Sequence, residues 1–127
     1  MKTLLTISTL VFTVMFSSTS FAGWTKVTEN NEGTFYVDFE RIRKVDGYVY
    51  YWDMSDFLKP SPHGYLSGKR YDQGDCKLFR FKSLSYSFHK EPMGGGAGDV
   101  DNKPKKDWTY PSPNSVNETI LKSVCSR

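Results

Sequence analysis

The sequence predicts an α+β fold in one domain, with β-strands through most of the chain and one helix at its C-terminus. Apolar and polar residues alternate in several runs between residues 24 and 110, which is the period of half-buried strands. After residue 115, apolar residues recur every four positions, as on one side of a helix. Two cysteines, Cys76 and Cys125, provide one internal crosslink between these regions in the predicted fold.

Residues 1–22 are predicted to be a secretory signal peptide. Lys2 gives a positive start, an apolar stretch covers Leu4–Phe16, and Ser20-Phe21-Ala22 approximates the small-residue cleavage pattern. The apolar stretch is too short to span a bilayer as a helix. We therefore expect an exported domain of residues 23–127 that does not span the membrane and is periplasmic, secreted or on the cell surface of a bacterium. No cysteine ends the leader, so no lipid anchor is predicted.

Length and charge exclude several classes of protein. The 105 residues that remain are enough for one hydrophobic core and too few for two domains. Loss of Lys2 lowers the formal charge from +3 to +2, so no nucleic-acid partner is predicted. Seventeen aromatic residues follow the leader. So many large rings indicate that some of them lie on a surface that binds a partner.

The first predicted strands are short. Trp24–Thr28 and Thr34–Phe39 alternate apolar and polar residues, and Glu29–Gly33 is a polar turn between them. The charged segment Glu40–Lys44 is predicted to form a helical turn before the turn signal Asp46-Gly47.

The next segment predicts the centre of the sheet. Tyr48–Phe57 carries apolar residues on both faces, which is typical of a central strand with cover on each side. Residues 58–68 contain two prolines and two glycines and are predicted to be a loop. Lys69–Gln73 is predicted to be a short edge strand.

The longest predicted strand is Cys76–His89. Its first aromatic residues have odd numbers and its later apolar residues have even numbers, so an extra residue must change the face. We predict that β-bulge near Lys82-Ser83. Met93–Lys106 is predicted to be a mobile loop, and Trp108–Tyr110 a last short strand before two prolines.

The C-terminal segment predicts a helix. Ser115 and Glu118 have the spacing of a capping box. Val116, Ile120 and Val124 then form one apolar stripe. A helix of about ten residues is too short to be stable alone, so it must pack on the sheet.

An even number of cysteines in an exported chain favours a disulfide between Cys76 and Cys125. Two free thiols and a metal site are the competing interpretations. The two histidines, His63 and His89, lack ligand-like spacing to either cysteine, which counts against the metal site. No metal or cofactor is predicted.

Several short motifs occur in an informative order. They are Gly23-Trp24, Thr34-Phe35-Tyr36-Val37-Asp38, Tyr50-Tyr51-Trp52-Asp53, Asp75-Cys76-Lys77, Met93-Gly94, Trp108 with Pro111, Pro113 and Ser115, and Val124-Cys125-Ser126. Together they resemble the bacterial surface-adhesin protein E family over nearly the whole mature chain. The resemblance implies a curved antiparallel sheet of about six strands, with a C-terminal helix held on its concave face by the disulfide. It also implies a homodimer and binding to host matrix or plasma proteins.

The motifs of common enzymes are missing, so no catalytic residue and no enzymatic activity are predicted. Gly94–Gly98 does not complete a phosphate-binding pattern. Asp53 and Asp56 are three apart on a strand and point to opposite faces. Ser67 does not lie in a nucleophile elbow.

Two basic runs are the candidate binding residues. One contains Arg41 and Arg43, and the other contains Lys103, Lys105 and Lys106. Such runs are commonly only solvated surface, but they also suit acidic partners such as sulfated glycans or acidic protein loops.

Aromatic anchors for a partner are expected among Tyr48, Tyr50, Tyr51 and Trp52, of which half or more should be core residues. Of these four, Tyr51 is the candidate binding residue. The predicted function is therefore that of an exported, non-enzymatic binding protein. The alternative is a periplasmic accessory or inhibitor protein that acts on components of the cell envelope.

Overall fold

The structure, a computed structural model, describes residues 23–127, so the predicted signal peptide lies outside the described residues. The described chain contains seven strands and one α-helix. They are β1 Trp24–Glu29, β2 Gly33–Asp38, β3 Arg43–Val45, β4 Tyr48–Phe57, β5 Ser67–Asp75, β6 Arg80–His89, β7 Gly98–Asp101 and α1 Val116–Cys125. The predicted α+β fold is confirmed.

All strands belong to one antiparallel sheet with the order β1-β2-β4-β5-β6-β7, and β3 also pairs with β4. β2 pairs with residues 53–57 of β4, and β3 pairs with residues 48–50 of the same strand. Because β5 takes the opposite edge of β4, β2 and β3 follow one another along a single edge. The curved sheet is therefore six strands wide, as predicted.

The core lies between one face of the sheet and α1. It contains Phe35, Val37, Val49, Tyr51 and Phe81 from the strands and Ile120, Leu121 and Val124 from the helix. Burying each aliphatic side chain of this size contributes about 1.5–3 kcal/mol. The helix is thus stabilised by the stripe that the sequence predicted.

Both ends of α1 are fixed. At the start, Ser115 Oγ accepts a hydrogen bond of 3.1 Å from the Glu118 backbone N–H. The Glu118 carboxylate accepts from the Asn114 N–H at 3.0 Å, one residue before the donor of a standard capping box. At the end, the predicted disulfide between Cys76 and Cys125 is present, with the two Cα atoms 5.7 Å apart. It joins the turn after β5 to the last residue of α1.

The prediction of a short edge strand at Lys69–Gln73 was wrong. β5 covers nine residues and lies between β4 and β6. The polar residues of β5 suggest an exposed strand, but Arg70 and Asp72 form an ion pair with each other on its buried face. Gly74 is also required for close packing, since a Cβ at this position would lie 2.9 Å from Val49 Cγ1. The missing side chain lets the helix and sheet approach closely.

The strand predicted from Cys76 starts later, at Arg80, because residues after Asp75 form a turn. The Asp75 carboxylate accepts the N–H groups of Lys77 and Leu78, both at 3.1 Å, which holds the turn. The predicted bulge is confirmed one residue from its expected place. Tyr71 pairs with Ser85 and Asp72 with Ser83, which leaves Leu84 as the extra residue.

Three further segments differ from their predicted structure. Within the predicted loop Met93–Lys106, β7 pairs with β6 as an exposed edge strand. Phe39–Arg41 forms a 3-10 turn, close to the helical turn predicted at Glu40–Lys44, but β3 follows it. The strand predicted at Trp108–Tyr110 is reduced to a single bridge between Thr109 and Phe81.

Candidate functional site

The two faces of the sheet differ in their cover. The helix face packs against α1 and contains the core. The other side is here called the open face, and its side chains alternate with those of the core along each strand. The open face includes Trp24, Lys26, Tyr36, Asp38, Arg43, Tyr48, Tyr50, Trp52, Met54, Asp56, Lys69, Tyr71, Gln73, Asp75, Arg80, Lys82, Ser85 and Ser87. Within residues 23–127, Trp108 and the turn Pro92–Gly94 lie against its ends.

Five aromatic rings lie along a strip of the open face, in two groups of contacting rings. The ring centroids of Tyr50 and Tyr71 are 6.3 Å apart, and those of Trp52 and Tyr71 are 4.9 Å apart. Tyr48 stacks on Trp108 at 5.7 Å. These five rings are half-buried, so each keeps part of its surface for a partner. Such amphipathic rings are the residues most often found at binding hot spots.

Cations surround this strip. The Arg80 guanidinium and the Lys82 Nζ lie 4.3 and 4.6 Å from the centroid of the Trp108 ring, within the range of cation–π interactions. Lys69 and Arg43 flank the strip on β5 and β3. The open face therefore combines apolar area with positive charge.

Two acidic residues of the open face, Asp38 and Asp75, are paired with arginines, whereas Asp56 accepts a hydrogen bond from the Met93 N–H at 2.8 Å and forms no salt bridge within residues 23–127. Asp38 Oδ2 lies 2.9 Å from Arg41 Nε, and Asp75 Oδ2 lies 2.9 Å from Arg80 Nε. Hydrogen bonds from the Leu78 N–H, from Arg80 and from the Lys77 N–H hold the pKa of Asp75 below its usual value, and burial only partly opposes them. Among residues 23–127, Arg43, Lys69 and Lys82 form no salt bridge. The charge of these three cations is thus not neutralised within the described chain.

An open cavity of about 420 Å³ lies at one side of the strip. Its apolar wall is formed by the two indole rings of Trp24 and Trp52, and its polar wall by hydroxyl, amide and cationic groups. The polar residues are Arg41, Lys69, Ser85, Ser87 and Asn102. This cavity can accept a group with one flat apolar side and hydrogen-bonding or anionic substituents.

The helix face contains a buried charge cluster. Arg70 lies 3.1 Å from Asp53 and 3.0 Å from Asp72, and it donates to Asn117 of α1 at 2.8 Å. Ser83 donates to Asp72 at 2.8 Å. Burial and the negative charge of Asp53 raise the pKa of Asp72 well above its usual value, although Arg70 opposes the shift. The cluster satisfies its own polar groups and ties α1 to the sheet.

Beside this cluster, a groove of about 300 Å³ opens on the helix face. Arg70, Tyr86 and Asn117 form one part of it, and Lys105 and Lys106 form the other. The Lys105 N–H donates to the Ser83 carbonyl at 2.9 Å, which fixes the segment at the groove.

Comparison with known proteins decides the family. The family model described as surface-adhesin protein E matches residues 24–126. The chain belongs to the surface-adhesin protein E family. No curated protein matches it.

Solved structures of Haemophilus influenzae protein E share the fold of this member of the family. Crystal form II of that protein superposes with a TM-score of 0.66 at 19% identity, over 84% of this chain and 90% of the other. Protein E from non-typeable Haemophilus influenzae superposes with a TM-score of 0.62 at 18% identity, over 84% and 78% of the two chains. At this level of identity the likeness shows the fold alone.

The family points to export or to the cell surface. Within the described residues, none of the helices has the length and apolar character that a membrane crossing requires.

The structure divides the predicted basic residues between opposite faces of this family member. Arg41 lines the cavity of the open face, and Arg43 is paired with Tyr50 on the same face. Lys105 and Lys106 line the groove of the helix face. Lys103 is exposed, and its N–H donates to Asp101 at 2.9 Å. The five residues therefore do not form one patch.

Tyr51 must be removed from the candidate binding residues. Its side chain is 1% exposed and belongs to the core between β4 and α1. Burial and the charges of Asp72 and Asp53 raise the pKa of its hydroxyl well above the usual value. The strand period explains this placement, because residue 51 alternates with Tyr50 and Trp52, which face the open side.

Trp24, Lys69 and Lys82 were not predicted to be parts of a shared surface. The period-2 pattern places each of them on one side of its own strand. Only the strand order and the bulge at Leu84 bring these sides together, and neither follows from local spacing.

A serine–histidine pair also lies on the open side of β6. Ser87 Oγ and His89 Nε2 are 2.8 Å apart, and His89 Nδ1 faces the Gly96 carbonyl at 3.4 Å. A carbonyl oxygen orients the ring but carries no negative charge to stabilise an imidazolium, unlike the carboxylate of a catalytic triad. Within residues 23–127, acidic, histidine and cysteine side chains form no group of three suited to a metal ion.

Proposed function

We propose that this family member is an exported, non-enzymatic adhesin that binds a host matrix or plasma protein through the open face of its sheet. Membership of the surface-adhesin protein E family supports the adhesin role. The geometry supports the choice of face. A half-buried aromatic strip lies there beside cations that the described chain leaves unneutralised.

The single observation that carries the proposal is the state of the charges on the open face. Asp38 and Asp75 each have an arginine partner, whereas Lys69 and Lys82 have no carboxylate partner within the described residues. Unneutralised cations beside aromatic rings attract an acidic partner and speed its association. The rings then supply the apolar contact on which affinity depends.

The helix face is less suited to a protein partner. α1 covers its centre, and the buried cation there, Arg70, pairs with Asp53 and Asp72, while the rings of Tyr86 and Phe88 stack beside the helix with centroids 6.2 Å apart. Lys105 and Lys106 are exposed at its margin, with Asp107 next to them in the same groove. They therefore serve as a matched control of equal charge on the opposite side.

Binding to immobilised fibronectin, basement-membrane extract and plasma proteins tests the proposal, with the exported protein expressed from the full chain. The variant Lys69→Glu/Lys82→Glu should weaken binding at least tenfold, because two attractive charges become repulsive. Lys105→Glu/Lys106→Glu has the same net charge and should bind like the wild type. Equal losses for both variants, or no binding by the wild type, would contradict the proposal.

Location separates the adhesin from the alternative role in the cell envelope. Protease added to intact cells should digest a surface adhesin. Protection until the outer membrane is broken would instead favour a periplasmic accessory or inhibitor protein. N-terminal sequencing of the exported protein tests the predicted cleavage after Ala22.

Homodimerisation stays a prediction. β1 and β7 are the two edges of the sheet, and each presents unpaired backbone groups on which a second copy can add a strand. Light scattering of the purified protein at several concentrations checks the mass.

A further inference from the structure

The open face has a regular lattice of side chains that the proposed function does not fully use. One row crosses four strands and contains Arg43, Tyr50, Gln73 and Lys82, which are matched by the pairing register. Since neighbouring strands lie about 4.8 Å apart, the backbone positions of the two cationic residues at the ends of this row are about 14 Å apart, with an aromatic ring and an amide between them.

A third cation extends this pattern along the sheet. Lys69 lies four residues before Gln73 on the same strand, β5. It is therefore about 13 Å along the strand from the row that contains Gln73 and Lys82. Between these positions lie the rings of Trp52 and Tyr71. Cations and rings thus alternate over an extended surface, which suits a chain with repeated anionic groups better than a compact ligand.

The polar groups of this surface are mostly hydroxyls and amides. Ser85 Oγ donates to Asn102 Oδ1 at 2.9 Å, so its oxygen can still accept a hydrogen bond. Ser87, Ser85 and Asn102 line the same cavity as Trp24 and Trp52. Hydroxyl and amide groups beside flat rings match a sugar, which has hydroxyl groups on its rim and polarised C–H bonds on its face. Those C–H bonds are attracted to the negative face of an aromatic ring.

We propose that the open face binds a sulfated polysaccharide chain of the glycosaminoglycan class. Sulfate groups contact Arg43, Lys69 and Lys82, and sugar rings stack on Trp52 and Tyr71. The inference rests on the proposed function, because it names the chemistry that the open face recognises on matrix components. Many matrix components carry such chains, so protein and glycan contacts can occur on one partner.

The chain contains its own reporter for this contact. Trp24, Trp52 and Trp108 are its three tryptophans, and all of them lie on or against the open face. A glycan on that face should change the intrinsic fluorescence of the wild type. A ligand held only in the groove of Lys105 and Lys106 lies near one tryptophan, Trp108, whose neighbours Asp107 and Thr109 line that groove, so Trp24 and Trp52 should keep their fluorescence.

The test measures binding of a heparin oligosaccharide to the exported protein by calorimetry and by tryptophan fluorescence. The variant Lys69→Gln/Lys82→Gln should bind about tenfold more weakly at low ionic strength, because two ion pairs with sulfate are lost. Lys105→Gln/Lys106→Gln loses the same formal charge and should bind within twofold of the wild type. Raising the salt concentration should weaken the wild type and reduce the difference between the variants.

Four results would overturn the inference. They are equal affinity for the desulfated oligosaccharide, equal losses in both variants, unchanged tryptophan fluorescence on binding, and equally tight, variant-sensitive binding of a polyglutamate peptide. Matrix protein freed of its glycans by lyase separates the two proposals. If it still binds and the free glycan does not, the adhesin role stands and the glycan inference fails.

Discussion

Gly74 is a residue of β5 at which the sheet packs closely against α1. A Cβ at this position would lie 2.9 Å from Val49 Cγ1, 3.1 Å from Leu121 Cδ1 and 3.2 Å from Tyr51 Cε1. Gly74→Ala should therefore lower the free energy of unfolding by about 1–3 kcal/mol, because overpacking forces buried side chains out of position. Urea denaturation measures the change.

Gly68 is the matched control on the same strand. A Cβ there would meet Phe88 Cδ1 at 3.4 Å, which is ordinary contact. Gly68→Ala should change the stability by less than about 0.5 kcal/mol, or raise it by restricting the unfolded chain. Equal losses at the two glycines would show that close packing at Gly74 is not the cause.

The buried carboxyl of Asp72 should make stability depend on pH. Burial and the nearby charge of Asp53 raise the pKa of Asp72, so the folded protein holds this proton after the unfolded chain has released it. Stability contributed by this group is therefore lost as the pH rises above the unfolded pKa of about 3.9. The wild type should lose stability relative to Asp72→Asn between pH 4 and 7.

Asp75 provides a control of opposite sign. Its folded pKa is lowered, so it contributes stability above the unfolded pKa and loses it as the pH falls. The wild type should therefore lose stability relative to Asp75→Asn when the pH falls from 5 to 3.

For Asp72, the contradicting result is a wild type that gains stability relative to Asp72→Asn between pH 4 and 7. Asp72 would then be ionised and stabilised by its ion pair with Arg70.

At the scale of elements, α1 depends on its covalent link to the sheet. The disulfide closes a sequence separation of 49 residues. In the chain-entropy account, such a closure stabilises the fold by about 4 kcal/mol. Cys76→Ala/Cys125→Ala should lose about this amount in urea denaturation, and amide exchange in α1 should rise more than in β4 and β5.

Reduction of the wild type is the matching measurement, because it leaves the sequence intact. The reduced protein and the double variant should have the same stability. A loss below about 1 kcal/mol in both would show that packing of Ile120, Leu121 and Val124 holds the helix without the link.

The elements that were predicted correctly from the sequence are those with a clear hydrophobic pattern. β4 has the predicted ends, Tyr48 and Phe57, because it is apolar on both faces. α1 was found from its stripe and its N-cap serine, Ser115. β5 was misjudged because Arg70, Asp53 and Asp72 neutralise one another in the interior, and a charged sequence conceals such pairing. β7 was missed because an exposed edge strand needs no apolar face.

At the scale of the whole molecule, the helix face and the open face of the sheet have different roles in the proposed function. The helix face contains the core, the charge cluster and α1, with the rings of Tyr86 and Phe88 beside them. The open face has an aromatic strip and cations that form no salt bridge within residues 23–127. Basic runs were visible in the sequence, but their sorting to opposite faces was not. That sorting depends on strand order, on which edge of β4 carries β3, and on the bulge at Leu84.

The most direct test of this division is lysine labelling by an amine-reactive reagent, read by mass spectrometry, with and without bound basement-membrane extract. Lys69 and Lys82 lie on the open face, and Lys105 and Lys106 line the helix-face groove. Binding through the open face predicts that Lys69 and Lys82 lose reactivity while Lys105 and Lys106 keep it. Protection of Lys105 and Lys106 with continued labelling of Lys69 and Lys82 would contradict the account.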